Sequence, residues 1–223
     1  MPQPTLALIH TTPVNLPSFR NLAAEHLAGI RVINILDDSL LADVMAAGGV
    51  TDLVRQRLRA YVEQAQVAGA QAVMSCCSSI GEAVEELAAQ SDVPVLRIDA
   101  PMAEEAVRLV TPGGTIGVLA TVRTTLDPTA NLIRRTAARE GKAARVDAVL
   151  VEGAYEALRA GDGDEHDRRV GAALRELLAR ADVIVLAQAS MARLLAALPE
   201  PPRVPVLTSP VSGLQAAGAC LLG

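Results

Sequence analysis

The sequence contains an internal duplication, and this limits the folds that are open to it. The tetrapeptide Val93–Leu96 recurs unchanged as Val204–Leu207, 111 residues further on. Cys77 and Gln188, which each follow an aliphatic run, are also 111 residues apart, so the two correspondences agree without a gap. A repeat that contains several strands and helices predicts two copies of one folding unit.

Each copy alternates aliphatic runs with amphipathic segments, as parallel strands covered by helices do. Aromatic residues are 1% of the chain and hydrophobic residues 51%, so the core must come from Ala, Val, Leu and Ile. We therefore predict an α/β fold with two three-layer α/β/α halves, related by a pseudo-twofold axis, each with a mostly parallel four-stranded sheet. Residues 1–100 are expected to form the first half and 101–210 the second, with 211–223 packing back on the first. The predicted strands are Thr5–Ile9, Arg31–Leu36, Ala70–Met74, Val93–Ile98, Ile116–Thr121, Arg145–Leu150, Ile184–Met191 and Val204–Leu207.

The turns that follow the strands are the candidate site, because ligands of open α/β sheets bind beyond the carboxyl ends of the strands. We expect an active site in a cleft between the two halves, where these turns enclose one small molecule. The polar residues at the predicted strand ends are His10, Thr11, Thr12, Cys77, Ser78, Ser79, Thr121, Thr124, Thr125, Gln188 and Ser190.

Cys77 lies between a predicted buried strand and a predicted helix. Ser79, with Glu82 three residues later, fits a capping box, which places the start of the helix at Ser79. A helix N-terminus offers unpaired N–H groups and partial positive charge, which bind anions and favour a thiolate. Cys77 is therefore predicted to be a reactive thiol beside an anion site. Cys76 is interpreted as a small, buried apolar residue.

The strand-end hydroxyls have two interpretations. Threonines in turns often bond the local backbone, but Thr11 and Thr121 occupy equivalent strand ends, which favours carboxylate binding. Ser78 is the better candidate for ligand binding among the serines, since helix capping explains Ser79 and Ser190.

Other helical segments carry further predictions. Asp127 and Pro128 fit the N-cap and first residue of a helix. Thr51–Ala68 is predicted to be a long amphipathic helix with Leu53 on its buried face. His166 falls on a helical segment and is expected at the surface.

Composition excludes several classes of protein. The net charge is −5, with a single lysine and scattered arginines, whereas a nucleic-acid surface needs a basic stripe and usually stacking aromatics. No apolar run reaches the roughly 18 residues of a membrane span, and the N-terminus does not resemble a signal peptide. Three cysteines, two of them adjacent, match neither a disulfide framework nor a metal site. We expect a cytoplasmic protein, and a homodimer or higher homo-oligomer is compatible with its aliphatic helix faces.

The chain resembles the aspartate/glutamate/hydantoin racemase superfamily over nearly its full length. The resemblance rests on the duplicated halves, the turn Cys77-Ser78-Ser79, the segment Gly117–Thr121 with Thr124-Thr125 after it, and the turn at Gln188. It implies an enzyme without cofactors in which one cysteine from each half faces the substrate's α-carbon, one removing a proton and the other returning it. It also implies that N–H groups and hydroxyls of the strand-end turns hold the substrate carboxylate.

The chain departs from this pattern at Gln188, which occupies the position of the second cysteine. An amide donates hydrogen bonds but is no useful acid or base at neutral pH. His10 has the right pKa range to be the second proton carrier, or it is a polar turn residue bonded to backbone. Three arginines are candidates for binding a second acid group: Arg20, Arg97 and Arg123.

Three functions therefore remain open. The first is a racemase or isomerase that acts on an amino acid or dicarboxylate, through an enolate-like intermediate or thiolate addition at Cys77. The second is a single-cysteine decarboxylase or other lyase. The third is a non-catalytic binder of small carboxylates.

Overall fold

The computed structural model describes residues 3–196 and 201–223. The chain divides into two compact units, Met1–Pro101 with Pro210–Gly223, and Met102–Ser209. Each unit contains a four-stranded parallel sheet with helices on both sides, which confirms the predicted fold class.

The sheet of the first unit has the strand order β2-β1-β3-β4. Its central strands are buried along their whole length, which explains why their sequences are continuous aliphatic runs. The strands are β1 (Thr5–His10), β2 (Arg31–Leu36), β3 (Ala72–Ser75) and β4 (Val95–Arg97). The helices that connect them are α1 (Leu16–His26), α2 (Ser39–Ala47), α3 (Asp52–Val67) and α4 (Gly81–Ala88).

The second unit repeats this topology with the order β6-β5-β7-β8. It begins with a helix that the sequence reading missed, α5 (Ala100–Leu109). Its strands are β5 (Thr115–Ala120), β6 (Arg145–Leu150), β7 (Val183–Leu186) and β8 (Val206–Thr208). Its other helices are α6 (Arg123–Arg139), α7 (Ala154–Arg159), α8 (Gly163–Leu178) and α9 (Arg193–Ala196). The C-terminal helix, α10 (Ser209–Leu222), belongs almost entirely to the first unit.

The duplication extends to individual backbone bonds at the carboxyl ends of the strands. The Cys76 N–H donates to the Ile9 carbonyl at 2.9 Å, and the Ala187 N–H donates to the Leu119 carbonyl at 2.9 Å. The residue after each donor is therefore held in the same place in its own sheet. Those residues are Cys77 and Gln188.

Two predicted helix starts are wrong. Helix α6 begins at Arg123, and Pro128 lies inside it, because the N–H groups of Thr125 and Leu126 already bond the Val122 carbonyl at 3.1 and 3.0 Å. At the other site the chain first makes a 3-10 turn, Ser78–Ile80, so α4 begins at Gly81 and not at Ser79.

Two burial predictions are also wrong. Leu53 is 60% exposed, because the buried stripe of α3 runs through Val54 and Leu58 instead. His166 is buried in the first turn of α8, on the same stripe as Val170.

Candidate active site

The carboxyl end of β3 leads directly into the two adjacent cysteines. Cys77 has an extended backbone at the N-cap of the turn Ser78–Ile80, and its N–H donates to Ser75 Oγ at 3.3 Å. The Cys77 side chain is half-buried, whereas Cys76 is buried. Burial raises the pKa of the Cys76 thiol well above its ordinary value, and a charge on Cys77 raises it further. A buried, protonated thiol is a poor nucleophile, which supports the interpretation of Cys76 as a core residue.

The turn after Cys77 lies at the carboxyl end of β3. Ser78 and Ser79 are buried within it, and α4 follows without a break. The first N–H groups of a helical segment have no acceptor within the helix, so they suit an anion. Cys77 is thus the solvent-accessible thiol at the start of this segment.

His10 is the last residue of β1, at the carboxyl end of the first sheet, and it is 1% exposed. Its Nε2 lies 2.9 Å from Asn34 Oδ1, and its ring packs edge-on against Phe19 with centroids 5.3 Å apart. Burial lowers the pKa of His10; the Asn34 hydrogen bond raises it, and the charge of Arg20 lowers it further. The net lowering of the pKa favours a neutral imidazole at neutral pH. The hydrogen bond that holds the ring comes from the Asn34 side chain and not from the backbone.

The two threonines after β1 differ in their surroundings. Thr11 is buried directly after the strand. Thr12 is the N-cap of the next turn, where its Oγ1 accepts from the Val14 N–H at 3.4 Å. Thr12 therefore makes the local backbone bond that is typical of turn threonines.

Thr121 fixes the side chain of Gln188 at the carboxyl end of the second sheet. Its Oε1 accepts from the Thr121 N–H at 2.7 Å and from Thr121 Oγ1 at 2.9 Å. A backbone N–H can only donate, so the atom that faces it must be the amide oxygen. The side-chain NH2 is consequently the group that Gln188 can offer to a ligand.

The remaining candidates of the second unit lie on the turns beside Gln188 and Thr121. Thr125 is buried in the first turn of α6, and Ser190 is half-buried in the 3-10 turn Ala189–Ala192. Thr124 Oγ1 is buried and has no hydrogen-bond partner among the residues that the structure describes. A buried hydroxyl without a partner loses its hydration, so a ligand oxygen would relieve this loss.

The three candidate arginines have different environments. Arg97 is buried and bonded to Asp99, so its guanidinium is already neutralised. Arg123, at the first position of α6, is exposed and lies 3.9 Å from Asp127. Arg20 is exposed on α1. Of these three candidates, Arg123 is the exposed one in the second unit.

The sequence reading missed two polar clusters. One is the buried pair of Arg97 and Asp99, for which the only local signal is the arginine in a strand. The other is His166, whose Nδ1 lies 2.7 Å from Asp167 Oδ1, while Asp167 also accepts from Arg193. The helical stripe that includes Val170 was the signal for the burial of His166.

Residues 3–196 and 201–223 contain no group of three or more His, Cys, Asp and Glu side chains that could bind a metal ion. None of the helices in this part of the chain combines the length and apolar character of a membrane span.

Asp37 is the centre of a hydrogen-bond network just beyond β2. Its carboxylate accepts from the Ser39 N–H at 3.1 Å and from Ser39 Oγ at 2.7 Å, and also from Arg57 and Tyr61. Burial alone would raise the pKa of Asp37, but these hydrogen bonds lower it from 3.8 to about 2. Asp37 thus stabilises this strand end in its charged form.

Asp37→Asn should lower the free energy of unfolding at pH 7 by about 2 kcal/mol, the equivalent of this pKa shift. Because the pKa is lowered in the folded state, the stabilisation is present above about pH 4 and is lost as the pH falls towards 2. Urea denaturation of both proteins between pH 7 and pH 3 measures this. Asp38→Asn, which changes the exposed neighbouring carboxylate, is the control. An Asp37→Asn effect that stayed constant down to pH 3 would contradict the assignment.

The family model for Asp/Glu/Hydantoin racemase matches residues 7–217. The chain belongs to the Asp/Glu/hydantoin racemase family. This confirms the resemblance drawn from the sequence. No curated protein matches the chain by sequence.

Solved structures of the racemase family have the same fold. A putative Asp/Glu racemase from Yersinia pestis is 18% identical, with a TM-score of 0.76 over 99% of this chain and 100% of that one. A glutamate racemase isoform from Bacillus anthracis is 17% identical, with a TM-score of 0.74 over 100% of this chain and 83% of that one. An allantoin racemase from Klebsiella pneumoniae is 15% identical, with a TM-score of 0.64 over 98% and 87%. Identities this low establish the shared fold alone.

Proposed function

We propose that the chain is a racemase or isomerase that needs no cofactor and acts on a small carboxylate, with Cys77 as its proton-transferring thiol. The observation that carries the proposal is the pairing of equivalent positions: a solvent-accessible thiol at Cys77, and at Gln188 an amide whose oxygen is bonded to Thr121. The similar proteins are named as glutamate, aspartate and allantoin racemases, which supports racemase-type chemistry and leaves a range of substrates.

Cys77 is proposed to act as a thiolate. In proton transfer it takes the α-proton of the substrate, and the C–H electron pair passes into an enolate. In an addition reaction its sulfur instead bonds one carbon of a double bond, the new single bond rotates, and elimination restores the alkene and the thiolate. Both routes place negative charge on the substrate carboxylate or its enolate.

Gln188 is proposed to stabilise this negative charge with its NH2 group. Thr121 holds the amide oxygen from two sides, so the NH2 direction is set before a ligand binds. Preorganised donors of this kind lower the barrier because they need no reorientation when charge develops. The substrate carboxylate is proposed to lie against hydroxyls and N–H groups of the strand-end turns. These hydroxyls belong to Thr11, Thr12, Ser78, Ser79, Thr121, Thr124, Thr125 and Ser190.

His10 is the alternative second proton carrier. Its lowered pKa gives a neutral ring that can accept a proton, but its burial and its Asn34 contact restrict access to a substrate. We therefore propose that the proton returned to the other face comes from solvent, and that His10 mainly holds the end of β1. A single-thiol lyase is the second candidate, favoured by the same pairing. There the substrate loses carbon dioxide, and Cys77 protonates the resulting enediolate from one face.

Solvent deuterium exchange tests the proposal. The protein is incubated in deuterated water with a panel of amino acids, hydroxy acids, dicarboxylates and allantoin, and the α-position is followed by NMR and chiral chromatography. Exchange with inversion supports a racemase, and release of carbon dioxide with deuterium on one face supports the lyase. Isomerisation of a double bond without α-exchange supports thiolate addition. Binding without any of these changes would favour the non-catalytic carboxylate binder and contradict the proposal.

Two substitutions at Gln188 separate its two ends. Gln188→Glu keeps an oxygen for the Thr121 N–H but replaces the NH2 group with a negative oxygen. We expect near-wild-type stability and a fall in turnover of about 10²-fold or more, as for loss of an oxyanion donor. Gln188→Leu also leaves the Thr121 N–H without an acceptor, which should cost about 1–3 kcal/mol of stability.

Steady-state kinetics and urea denaturation of both variants measure these effects. Wild-type turnover in Gln188→Glu would show that the NH2 group does not contact developing charge. Light scattering during size-exclusion chromatography would determine whether the chain forms the homodimer or higher homo-oligomer that its sequence allows.

A further inference from the structure

Arg97 and Asp99 form an ion pair beside the Cys77 turn that is almost closed to solvent. Their side chains are 4% and 1% exposed. Arg97 Nε and Nη2 each donate to one carboxylate oxygen of Asp99 at 2.8 Å. Two parallel bonds fix the plane of the guanidinium as well as its position.

The same guanidinium is bonded to the helix that follows Cys77. Arg97 Nη1 donates to Glu85 Oε1 of α4 at 2.9 Å. On the sheet side, Arg97 pairs in register with Ser75, and the Ile98 N–H donates to the Ser75 carbonyl at 3.1 Å. Arg97 therefore links the strand that leads into Cys77 with the helix that leads away from it.

Gly81 makes this link possible. A Cβ atom at Gly81, the first residue of α4, would overlap the Arg97 guanidinium. Gly81 is not among the glycines with positive φ, so the position needs glycine for the contact and not for its backbone conformation. The start of α4, directly after the Ser78–Ile80 turn, consequently packs against the guanidinium.

We propose that Arg97, held by Asp99, is a positioning residue for the Cys77 thiol. It fixes the start of the helix that follows the Cys77 turn, and this role rests on the proposed function in so far as the chemistry is assigned to Cys77. Asp99 and Arg97 carry opposite charges, so the pair acts through geometry and not through a net field at the sulfur. The charged form of Arg97 is secure: burial lowers its pKa, but Asp99 and Glu85 together raise it above the ordinary value.

The three cysteines provide an experiment that needs no substrate. Native protein is treated with a limiting pulse of iodoacetamide at pH 8, and each thiol is quantified by mass spectrometry of peptides. Cys77 reports on the turn, exposed Cys220 is the internal reference, and buried Cys76 reports on local unfolding.

Arg97→Lys keeps the positive charge and removes the two-pronged contact. We expect the ratio of Cys77 to Cys220 labelling to fall at least fivefold while Cys76 stays unlabelled, because the turn that follows Cys77 loses its contact with the guanidinium. Glu85→Gln, which alters the third contact of the guanidinium, should lower the ratio about twofold. Glu86→Gln is the matched control: it removes the exposed Arg55 pair from the same helix and should leave the ratio unchanged.

An unchanged ratio in Arg97→Lys, with Cys76 still protected, would overturn the proposal and leave Arg97 a purely structural residue. If Cys76 is labelled in Arg97→Lys, the turn has unfolded and Glu85→Gln decides: a lowered ratio supports the positioning role, and a wild-type ratio overturns it. These results do not depend on turnover. Absence of any reaction in the deuterium experiment would refute the proposed function and leave the labelling result to stand by itself.

Discussion

Cys77→Ala is expected to lose at least about 10³-fold in turnover, within the range found when a proton-transferring group is removed. The thiol is the acid–base group of the proposed chemistry, and neither an alanine nor the amide of Gln188 can replace it. Affinity for the carboxylate should change only a few-fold, because its proposed ligands are hydroxyls and N–H groups and not the thiol. Rates from the deuterium experiment and ligand affinity from calorimetry measure the two quantities.

The neighbouring cysteines provide the controls for this prediction. Cys76→Ala removes a buried thiol with a raised pKa, and Cys220→Ser removes an exposed one. Both should retain turnover, although Cys76→Ala leaves a small cavity and loses some stability. Turnover that persists in Cys77→Ala, or disappears in Cys76→Ala with its stability intact, would contradict the assignment of the thiol.

Asp99→Ala should have the largest effect on stability, a loss of about 3–5 kcal/mol in the free energy of unfolding. The substitution leaves the buried Arg97 guanidinium with Glu85 as its remaining carboxylate partner, and Glu85 is 40% exposed. Urea denaturation at pH 7 measures the loss. Glu86→Gln, which breaks an exposed pair, should cost less than about 1 kcal/mol.

A double substitution separates the loss of a partner from the loss of the pair. Arg97→Met with Asp99→Leu removes both charges and fills the space with apolar atoms, so it should recover much of the stability that Asp99→Ala loses. If the double variant were as unstable as Asp99→Ala, the buried charge would not be the cause. The double variant should still show slow Cys77 labelling, because it lacks the guanidinium plane.

The eight strands and the duplication could be predicted because they depend on local pattern. Buried parallel strands are continuous aliphatic runs, and β2 and β6 were predicted with the bounds that the structure has. The position of Cys77 before a helical segment also followed from local sequence, since a strand end and a glycine-containing turn surround it.

One proline misled the prediction of a helix start. The sequence predicts Pro128 as the first residue of a helix, but α6 begins at Arg123, more than one turn earlier, and Pro128 lies inside it. In α5, which the sequence analysis missed, Pro101 is the second residue, where a missing N–H has no consequence.

The polar contacts could not be predicted because they join residues that are distant in the sequence. The bond between Thr121 and Gln188 spans 67 residues. Only the pairing of β5 with β7, whose carboxyl ends lie side by side, brings the two residues together. His166 was predicted to lie at the surface of its helix, although the spacing to Val170 places it on the buried face. Arg97 and Asp99 are close in sequence, but the contact with Gly81 that gives them a role depends on tertiary packing.

The central claim is that one thiol at one strand end performs the chemistry. Stepwise alkylation of wild-type protein, with turnover and the modified fraction of each cysteine followed in the same samples, tests it most directly. We predict that turnover falls in proportion to modified Cys77, independently of Cys220, and that a bound carboxylate slows both changes equally. Full turnover in protein whose Cys77 is completely alkylated would contradict the claim.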